Sequence, residues 1–449
     1  MFIGKLKIVV VLLVVIAAGI LSGCTTREEL NIHEGDNGVQ QMGPVFVGYG
    51  WSIKSDPVEA VAEAVSSVKT QLKDKTPDYV ILFSTVDYNS TVILREASKY
   101  FPEAQIYGGT SCTGVLTKDG YHTSGNGSLA LLAVSSENIS FGVGGAEIGD
   151  SARTAGAEAI SEAIVNAERN NETPDLVLIT AAPGKEEEIL LGIEDVIGKD
   201  TPIFGGSSAD NTIEGYWKQF ANNKVYSNGV SVTAIFTNLK IGYSFEAGYL
   251  ISEQEGTITE AEGRTIYKID DKPAAEVYNS WTSGEVIGEN HSSTGELIIL
   301  SQSTFYPLSK KLVGSNGEIH YLSIHPLSVN FSDKSLTVFA NVENGETIQL
   351  MHGTWELLLN RGHSTPSKAL EFGEIDKGKG AFGIYTFCGG TLLGIPENER
   401  FKLPLLVYQT IGIPFIGTFT FGEQGYISGV GNRHGNLVNS MVIIGEEEK

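Results

Sequence analysis

A ten-residue stretch occurs twice in this chain and constrains its fold more than any other feature. Gln105 to Gly114 reads QIYGGTSCTG, and Pro202 to Asn211 reads PIFGGSSADN. Each is an apolar strand that stops at a glycine pair and passes into small hydroxyl residues. The same Thr-Pro-Asp precedes both, as Thr76, Pro77 and Asp78 and as Thr173, Pro174 and Asp175, at a common offset of 97 residues. A helix-length segment lies between the marks, Ser90 to Tyr100 in one copy and Lys185 to Gly198 in the other. An internal duplication of strand, helix, strand units is the expectation.

The flanks repeat as well. A glycine-broken apolar run and a helix opened by an aspartate precede each unit (Val45 to Trp51, then Asp56; Ile139 to Gly145, then Asp150). An Asn-Gly pair follows each, Asn126 and Gly127 or Asn228 and Gly229, and opens a further apolar run. A fainter third copy closes the chain: Gly380 to Phe387, a helix near Asn398 to Ile411, Pro414 to Gly417, and Asn436 to Ile444. In the first helix Pro57 suits the first turn, and Val58, Val61, Val65, Val68 and Leu72 fall on one stripe. Tyr79 to Phe83 and Leu176 to Ile179 are apolar without alternation, as in strands covered on both faces. From Ser244 the pattern changes to short, evenly spaced strand candidates around a helix from Ala274 to Trp281, until a helix from Thr354 to Leu370 leads into the third copy. The fold class expected is α/β: repeated strand-helix-strand units forming mixed sheets flanked by helices, in two packed parts.

Among 449 residues, 41% are hydrophobic and 19% charged, so the chain can bury more than one core. Its formal charge of -23 argues against nucleic acid as a partner, since phosphates call for Lys and Arg. At the N-terminus Lys5 and Lys7 precede an apolar run from Ile8 to Leu21, short for a membrane span but suited to a secretory signal. Leu21, Ser22, Gly23 and Cys24 resemble a lipobox. The expectation is a signal peptide over residues 1–23, a diacylated Cys24 anchoring the chain to a membrane outside the cytoplasm, and a polar tether over residues 24–43. Cys112 and Cys388 end strands in their repeats; either a disulfide or two buried thiols fits.

VGYGWSIKSDPVEAVAEA (Val47 to Ala64), PDYVILFST and IYGGTSCTG, then DDKPAAEVY, FYPL, FCGG and PFIGTFTFGEQG, resemble the FIST sensory domain in the order of its N-terminal and C-terminal parts. The resemblance spans Val45 to Ile444. It implies a FIST N-like ligand-binding part over residues 44–245 and a FIST C-like part over 246–449. It further implies a sensory module for a small polar ligand, with amino acids among the candidates. The family's Arg after the cysteine is replaced here by Gly389, Gly390 and Thr391. The signal sequence, with no kinase, cyclase or chemoreceptor module after Lys449, leads to the expectation of a stand-alone binding protein that works with a sensor or transporter partner.

The two glycine loops are the sharpest site candidates. Glycine lets backbone approach a ligand, consecutive amides can cradle an anion, and hydroxyls donate without charge. Gly108, Gly109, Thr110, Ser111 and Cys112 would line one cleft with Gly205, Gly206, Ser207, Ser208 and Asp210, at the carboxyl ends of strands. A tight turn between packed elements is the competing explanation. The family's YPL and GE motifs point to Tyr306, Glu423, Asn432 and His434, with Glu423 placed to accept a ligand ammonium. Catalysis is not expected: GTSCTG is one residue too long for a nucleophile elbow, and the histidines show no metal-ligand spacing. The alternatives carried forward are a hydrolase or transferase using Cys112 or Ser111, and a structural surface lipoprotein. No cofactor and no metal is expected.

Overall fold

The computed structural model describes residues 44–288 and 295–449. The expected signal peptide, Cys24 and the tether lie outside the described residues. The described residues form one compact unit, and no helix among them is long and apolar enough to cross a membrane.

The first repeat runs β1 (Phe46–Ser52), α1 (Pro57–Leu72), β2 (Tyr79–Ser84), α2 (Ser90–Tyr100), β3 (Gln105–Thr110), a hairpin of β4 (Val115–Thr117) and β5 (Gly120–His122), and β6 (Leu129–Ser135). Asp56 caps α1 by accepting from the Val58 and Glu59 amides at 2.9 Å each. Of the expected stripe, Val61, Val65, Val68 and Leu72 are buried, whereas Val58 in the first turn is 42% exposed. The second repeat follows the same plan: β7 (Ile139–Glu147), α3 (Ala152–Asn166), β8 (Leu176–Ala181), α4 (Glu186–Ile197), β9 (Ile203–Ser207), the hairpin β10 (Gln219–Ala221) and β11 (Lys224–Tyr226), and β12 (Gly229–Thr237). Here Ser151 and not Asp150 is the cap, accepting from the Thr154 amide at 3.1 Å.

The third repeat opens with β13 (Leu239–Glu246). Where the other two turn directly into their first helix, it is interrupted by an insertion of short strands. These are β14 (Leu250–Glu262), β15 (Thr265–Ile269), β16 (Lys272–Pro273), then α5 (Ala274–Trp281), β17 (Glu296–Ile298), α6 (Leu300–Ser303), β18 (Leu308–Val313), β19 (Ile319–Ile324), β20 (Pro326–Asn330), β21 (Ser335–Val338) and β22 (Thr347–His352). The repeat then resumes with α7 (Trp355–Phe372), β23 (Gly380–Cys388), a short α8 (Gly389–Gly394), α9 (Lys402–Ile411) and β24 (Phe415–Thr420). It closes with the hairpin β25 (Glu423–Ile427) and β26 (Gly431–Gly435) and with β27 (Asn439–Glu448).

Each repeat builds four strands of a mixed sheet around one parallel pair: β2 with β3, β8 with β9, β23 with β24. The hairpins do not stay home. The sheet orders are β1-β6-β2-β3-β10-β11, β26-β25-β9-β8-β12-β7, and β13-β27-β23-β24-β4-β5. Repeat two thus completes the sheet of repeat one, repeat three that of repeat two, and repeat one that of repeat three. The insertion forms a fourth sheet of nine strands with its own core around Tyr278, Leu308 and Val329.

Strands of the parallel pairs are apolar on both faces because both are covered. One face of these sheets carries the helices: Val80, Leu82 and Ile106 pack on α1 and α2, Val177, Ile179 and Ile203 on α3 and α4. The opposite faces meet in a shared core built from Ile81, Phe83, Tyr107, Leu178, Phe204, Ile384 and Val442. Tyr79 and Tyr107 are fully buried there, and each hydroxyl finds a threonine from repeat two, Thr233 at 2.8 Å and Thr180 at 2.7 Å. Such pairs lift the penalty of burying a phenol.

Candidate functional site

The glycine pairs occupy positions that no other residue fits. A Cβ on Gly108 would lie 1.8 Å from the Leu82 carbonyl oxygen, and one on Gly205 1.9 Å from that of Ile179. Both are contacts with the parallel partner strand. Gly205 and Gly206, with Tyr107, Thr180, Thr386, Thr418 and Ser440, line a cavity of about 10 Å³ between the three sheets, room for about one water-sized sphere.

The ends of β3, β9 and β24 do come together, as the duplication implies, but they interlock. The Ala209 amide donates to Thr110 O at 2.9 Å, Cys112 N–H to Phe419 O at 3.0 Å, and Phe421 N–H to Ser207 O at 3.0 Å. Their side chains are engaged too. Thr110 Oγ1 accepts from the Lys218 amide at 2.8 Å. Ser111 Oγ donates to Gly114 O at 2.5 Å and accepts from the Phe419 amide at 2.8 Å. Ser207 Oγ donates to Glu186 at 3.0 Å, and Ser208 Oγ donates to Ala181 O at 3.2 Å while accepting from Gln219 at 2.8 Å. The Asp210 carboxylate accepts from the amides of Thr212, Ile213, Glu214, Gly215 and Tyr216, wrapping the loop that follows it. Cys112 and Cys388 are free, buried thiols, and burial pushes the Cys112 thiol up to about 12.

Glu423 sits opposite Gly206 in the β25–β9 pairing, so it adjoins the second glycine loop. Its carboxyl accepts from Thr420 Oγ1 at 2.7 Å and from the Val438 amide at 3.1 Å. It is fully buried, and that burial raises it from 4.5 to about 8 against those hydrogen bonds. Asn432 lies elsewhere along the hairpin and staples it to the second repeat. It accepts from the Ile203 amide at 2.8 Å and donates to Glu194 and Thr201 O at 3.1 Å each. His434 Nδ1 accepts from Gln424 Nε2 at 3.1 Å. Tyr306 belongs to the insertion, where its carbonyl accepts from Tyr278 OH at 2.7 Å and its ring meets His352 edge-on.

Sequence reasoning missed the most unusual group. Arg361 of α7 is 1% exposed, the bulkiest of the fully buried side chains. Its Nη1 donates to Leu437 O at 2.9 Å and Thr391 Oγ1 at 3.3 Å, both uncharged. Nε and Nη2 have no hydrogen-bond partner among the described residues. The guanidinium stacks on Tyr249 with 4.4 Å to the ring centre, and Tyr249 OH is tied to Thr304 O at 2.8 Å. Tyr249, just before the insertion, thus lies on Arg361, which is bound to Thr391 shortly after β23, at the carboxyl end of the parallel pair, where α/β sheets place their ligands. Leu358, Arg361, Thr365 and Ala369 share the buried side of α7, and a charged residue on an apolar stripe was the available signal.

A second buried charge ties the insertion to repeat two. Arg264 Nη2 contacts Glu186 at 2.8 Å and Glu187 at 3.0 Å. Burial alone would raise Glu186, but His434 and Arg264 outweigh it and hold the carboxyl below its ordinary value. No group of three or more His, Cys, Asp or Glu among the described residues is placed to hold a metal. A larger cavity, of about 190 Å³, lies within the insertion, lined by Ala275, Val329, Phe331 and the Lys334–Glu276 pair. None of the site residues expected from the sequence borders it.

Among solved structures, the fold is similar to a crystal structure of cyanuric acid hydrolase from A. caulinodans at 8% identity and a TM-score of 0.34, covering 90% of this chain and 100% of that one. A second cyanuric acid hydrolase structure is similar at 9% identity and a TM-score of 0.32, over the same shares of both chains. PurLQS from Thermotoga maritima follows at 8% and 0.22, with 90% of this chain and 73% of that one covered. No curated protein matches. The FIST N domain matches residues 78–272, and the FIST C domain residues 274–426. Together the two domains take in most of the three-repeat body and the insertion, and the chain belongs to the FIST family, whose domains are sensory modules that bind small ligands in signal transduction.

Proposed function

We propose that this protein senses a small polar ligand outside the cytoplasm, acts by binding without turnover, and is held to a membrane through a lipidated Cys24. The observation that carries the binding site is Arg361: a permanently charged fork, buried beneath the insertion at the carboxyl ends of β23 and β24, with donors that nothing among the described residues satisfies. Leaving such donors unmet costs several kcal/mol, and a ligand removes that cost. Amino acids fit such a site through their carboxylate, which matches the guanidinium fork. A sensor or transporter partner would read the occupied state.

Two features favour binding over catalysis. A nucleophilic cysteine works as its thiolate, and burial pushes the Cys112 thiol up to about 12. Ser111 has its hydroxyl committed on both sides to backbone, without the adjacent base that activates a serine.

Thermal unfolding of the full chain in detergent, against amino acids, short peptides, sugars and nucleosides, tests this reading. A ligand at 100 times its dissociation constant adds about 2.7 kcal/mol to stability, and one chemical class is expected to raise the midpoint. The bound compound should be recovered unchanged by mass spectrometry. Conversion of the compound, abolished in Cys112→Ala, would establish the enzyme instead.

A further inference from the structure

Arg153 and Asp195, on the surface of repeat two, show how a guanidinium of this chain holds a carboxylate. Arg153 Nε meets one carboxylate oxygen at 2.6 Å and Nη2 meets the other at 2.7 Å. This two-pronged edge matches the two oxygens of a planar carboxylate. Arg361 keeps the same two atoms, Nε and Nη2, without a partner among the described residues, while its Nη1 is taken up by Leu437 O and Thr391 Oγ1. The anchored nitrogen orients the fork, and the Tyr249 ring covers one face of it.

Backbone without a side chain borders the fork. Gly248 has φ +67°, and a Cβ built there would lie 2.9 Å from Arg361 Nε. Any other residue at 248 would therefore cover that edge. Nor do the groups nearby cancel the charge. Glu423, raised to about 8 by burial, carries its proton at neutral pH, and burial raises the Cys388 thiol as well. Asn439, whose Oδ1 accepts from the Cys388 amide at 3.3 Å, keeps a fully buried Nδ2 with no partner among the described residues. The region offers donors and positive charge.

We infer that Arg361 is the anchor for a small carboxylate-bearing ligand, held side-on through Nε and Nη2 beneath the Tyr249 ring, so that the protein discriminates for carboxylates against neutral isosteres and against round anions. The assignment rests on the reading of this protein as a small-ligand sensor and names the chemical class it takes. Bidentate geometry supplies the discrimination: a carboxylate meets both prongs, an amide meets one and presents a clashing donor to the other, and chloride spans neither well.

The test is thermal unfolding and calorimetric titration of the full chain in detergent with sodium acetate, acetamide and sodium chloride at matched ionic strength. Acetate is expected to raise the midpoint where acetamide and chloride do not. Arg361→Gln should weaken acetate binding about tenfold or more, since each charge-assisted hydrogen bond contributes more than a decade in affinity. Gly248→Ala keeps the charge and blocks the prong, and should do the same in a chain whose near-ultraviolet circular dichroism is unchanged; this variant decides the matter if Arg361→Gln fails to fold. Equal shifts from acetate and chloride would mark an adventitious ion only and overturn the assignment, as would undiminished acetate binding by folded Gly248→Ala. If a neutral compound from the wider panel stabilises the wild type and Arg361→Gln alike, the sensor reading stands and the carboxylate assignment falls. If neither acetate nor any panel compound shifts the wild type, both fall.

Discussion

Glu423 and Arg361 differ in how burial treats them. A carboxyl can escape desolvation by keeping its proton, and Glu423 does so, rising from 4.5 to about 8; a guanidinium has no such exit and must find a counter-charge. Between those two values the folded state holds a proton that the unfolded chain has released. The Glu423 contribution therefore falls as pH rises from about 4.5 to 8, by up to about 1.4 kcal/mol per pH unit. Glu423→Gln removes this slope. Its unfolding free energy, measured by denaturant titration, should gain on the wild type progressively between pH 5 and pH 8. A constant difference across that range would show that the carboxyl is already ionised. The buried His122 and His325, both lowered by burial to about 4, act with the opposite sign and only below about 6.5, so they do not blur the upper half of the window.

At the scale of elements, the insertion is bound to the repeated body by side chains as much as by core. Arg264, in the turn between β14 and β15, reaches the first turn of α4 and pairs with a Glu186 that is 2% exposed. Removing one partner of a buried pair leaves an uncompensated charge and costs about 3–5 kcal/mol. Arg264→Ala is expected to lower stability by that amount at neutral pH. Because Glu186 is held below its ordinary value, the loss should shrink as pH falls towards 4, where the unfolded chain takes up its proton. An acid-insensitive loss would indicate that packing, and not charge, joins the two elements. The sequence made the repeated elements legible because their signals are local: a Pro after Asp56, unbroken apolar runs before each glycine pair, a Thr-Pro-Asp at a fixed offset. The third copy was faint because the insertion separates its first strand, β13, from α7 by more than a hundred residues. Arg361 was easily passed over for a different reason. An arginine in a helix is ordinarily solvated, and only the burial of Leu358, Thr365 and Ala369 beside it shows that its side faces inward. The expected roles of Thr110, Ser111, Ser207 and Ser208 rested on free hydroxyls, whereas partners remote in sequence, Lys218, Phe419, Glu186 and Gln219, occupy them.

For the whole molecule, the exchange of hairpins decides how stability is shared. Leu116 of β4 is fully buried against Gly417 of β24, in a sheet whose strands, β4 and β5 apart, come from repeat three. Leu116→Ala should therefore destabilise that sheet, although the residue lies in the first repeat, by about 2–5 kcal/mol. Because all three sheets share the core around Phe83, Tyr107 and Phe204, far-ultraviolet and near-ultraviolet signals should still lose structure in one coincident transition. Separate transitions would show that the repeats fold as independent units.

The same exchange sets a timetable for synthesis. The Phe419 amide that meets Ser111 Oγ lies 308 residues further along the chain. At about 5–20 residues per second, the first hairpin waits roughly 15–60 s for the strand it will lie against. Until then the edge of β9 also lacks β25, so a ribosome-bound chain presents an open strand edge that invites pairing with other chains. A chain halted near residue 245 would have β10 to cover the edge of β3 but would keep that of β9 open indefinitely, so the topology itself favours shielding of that edge during the interval.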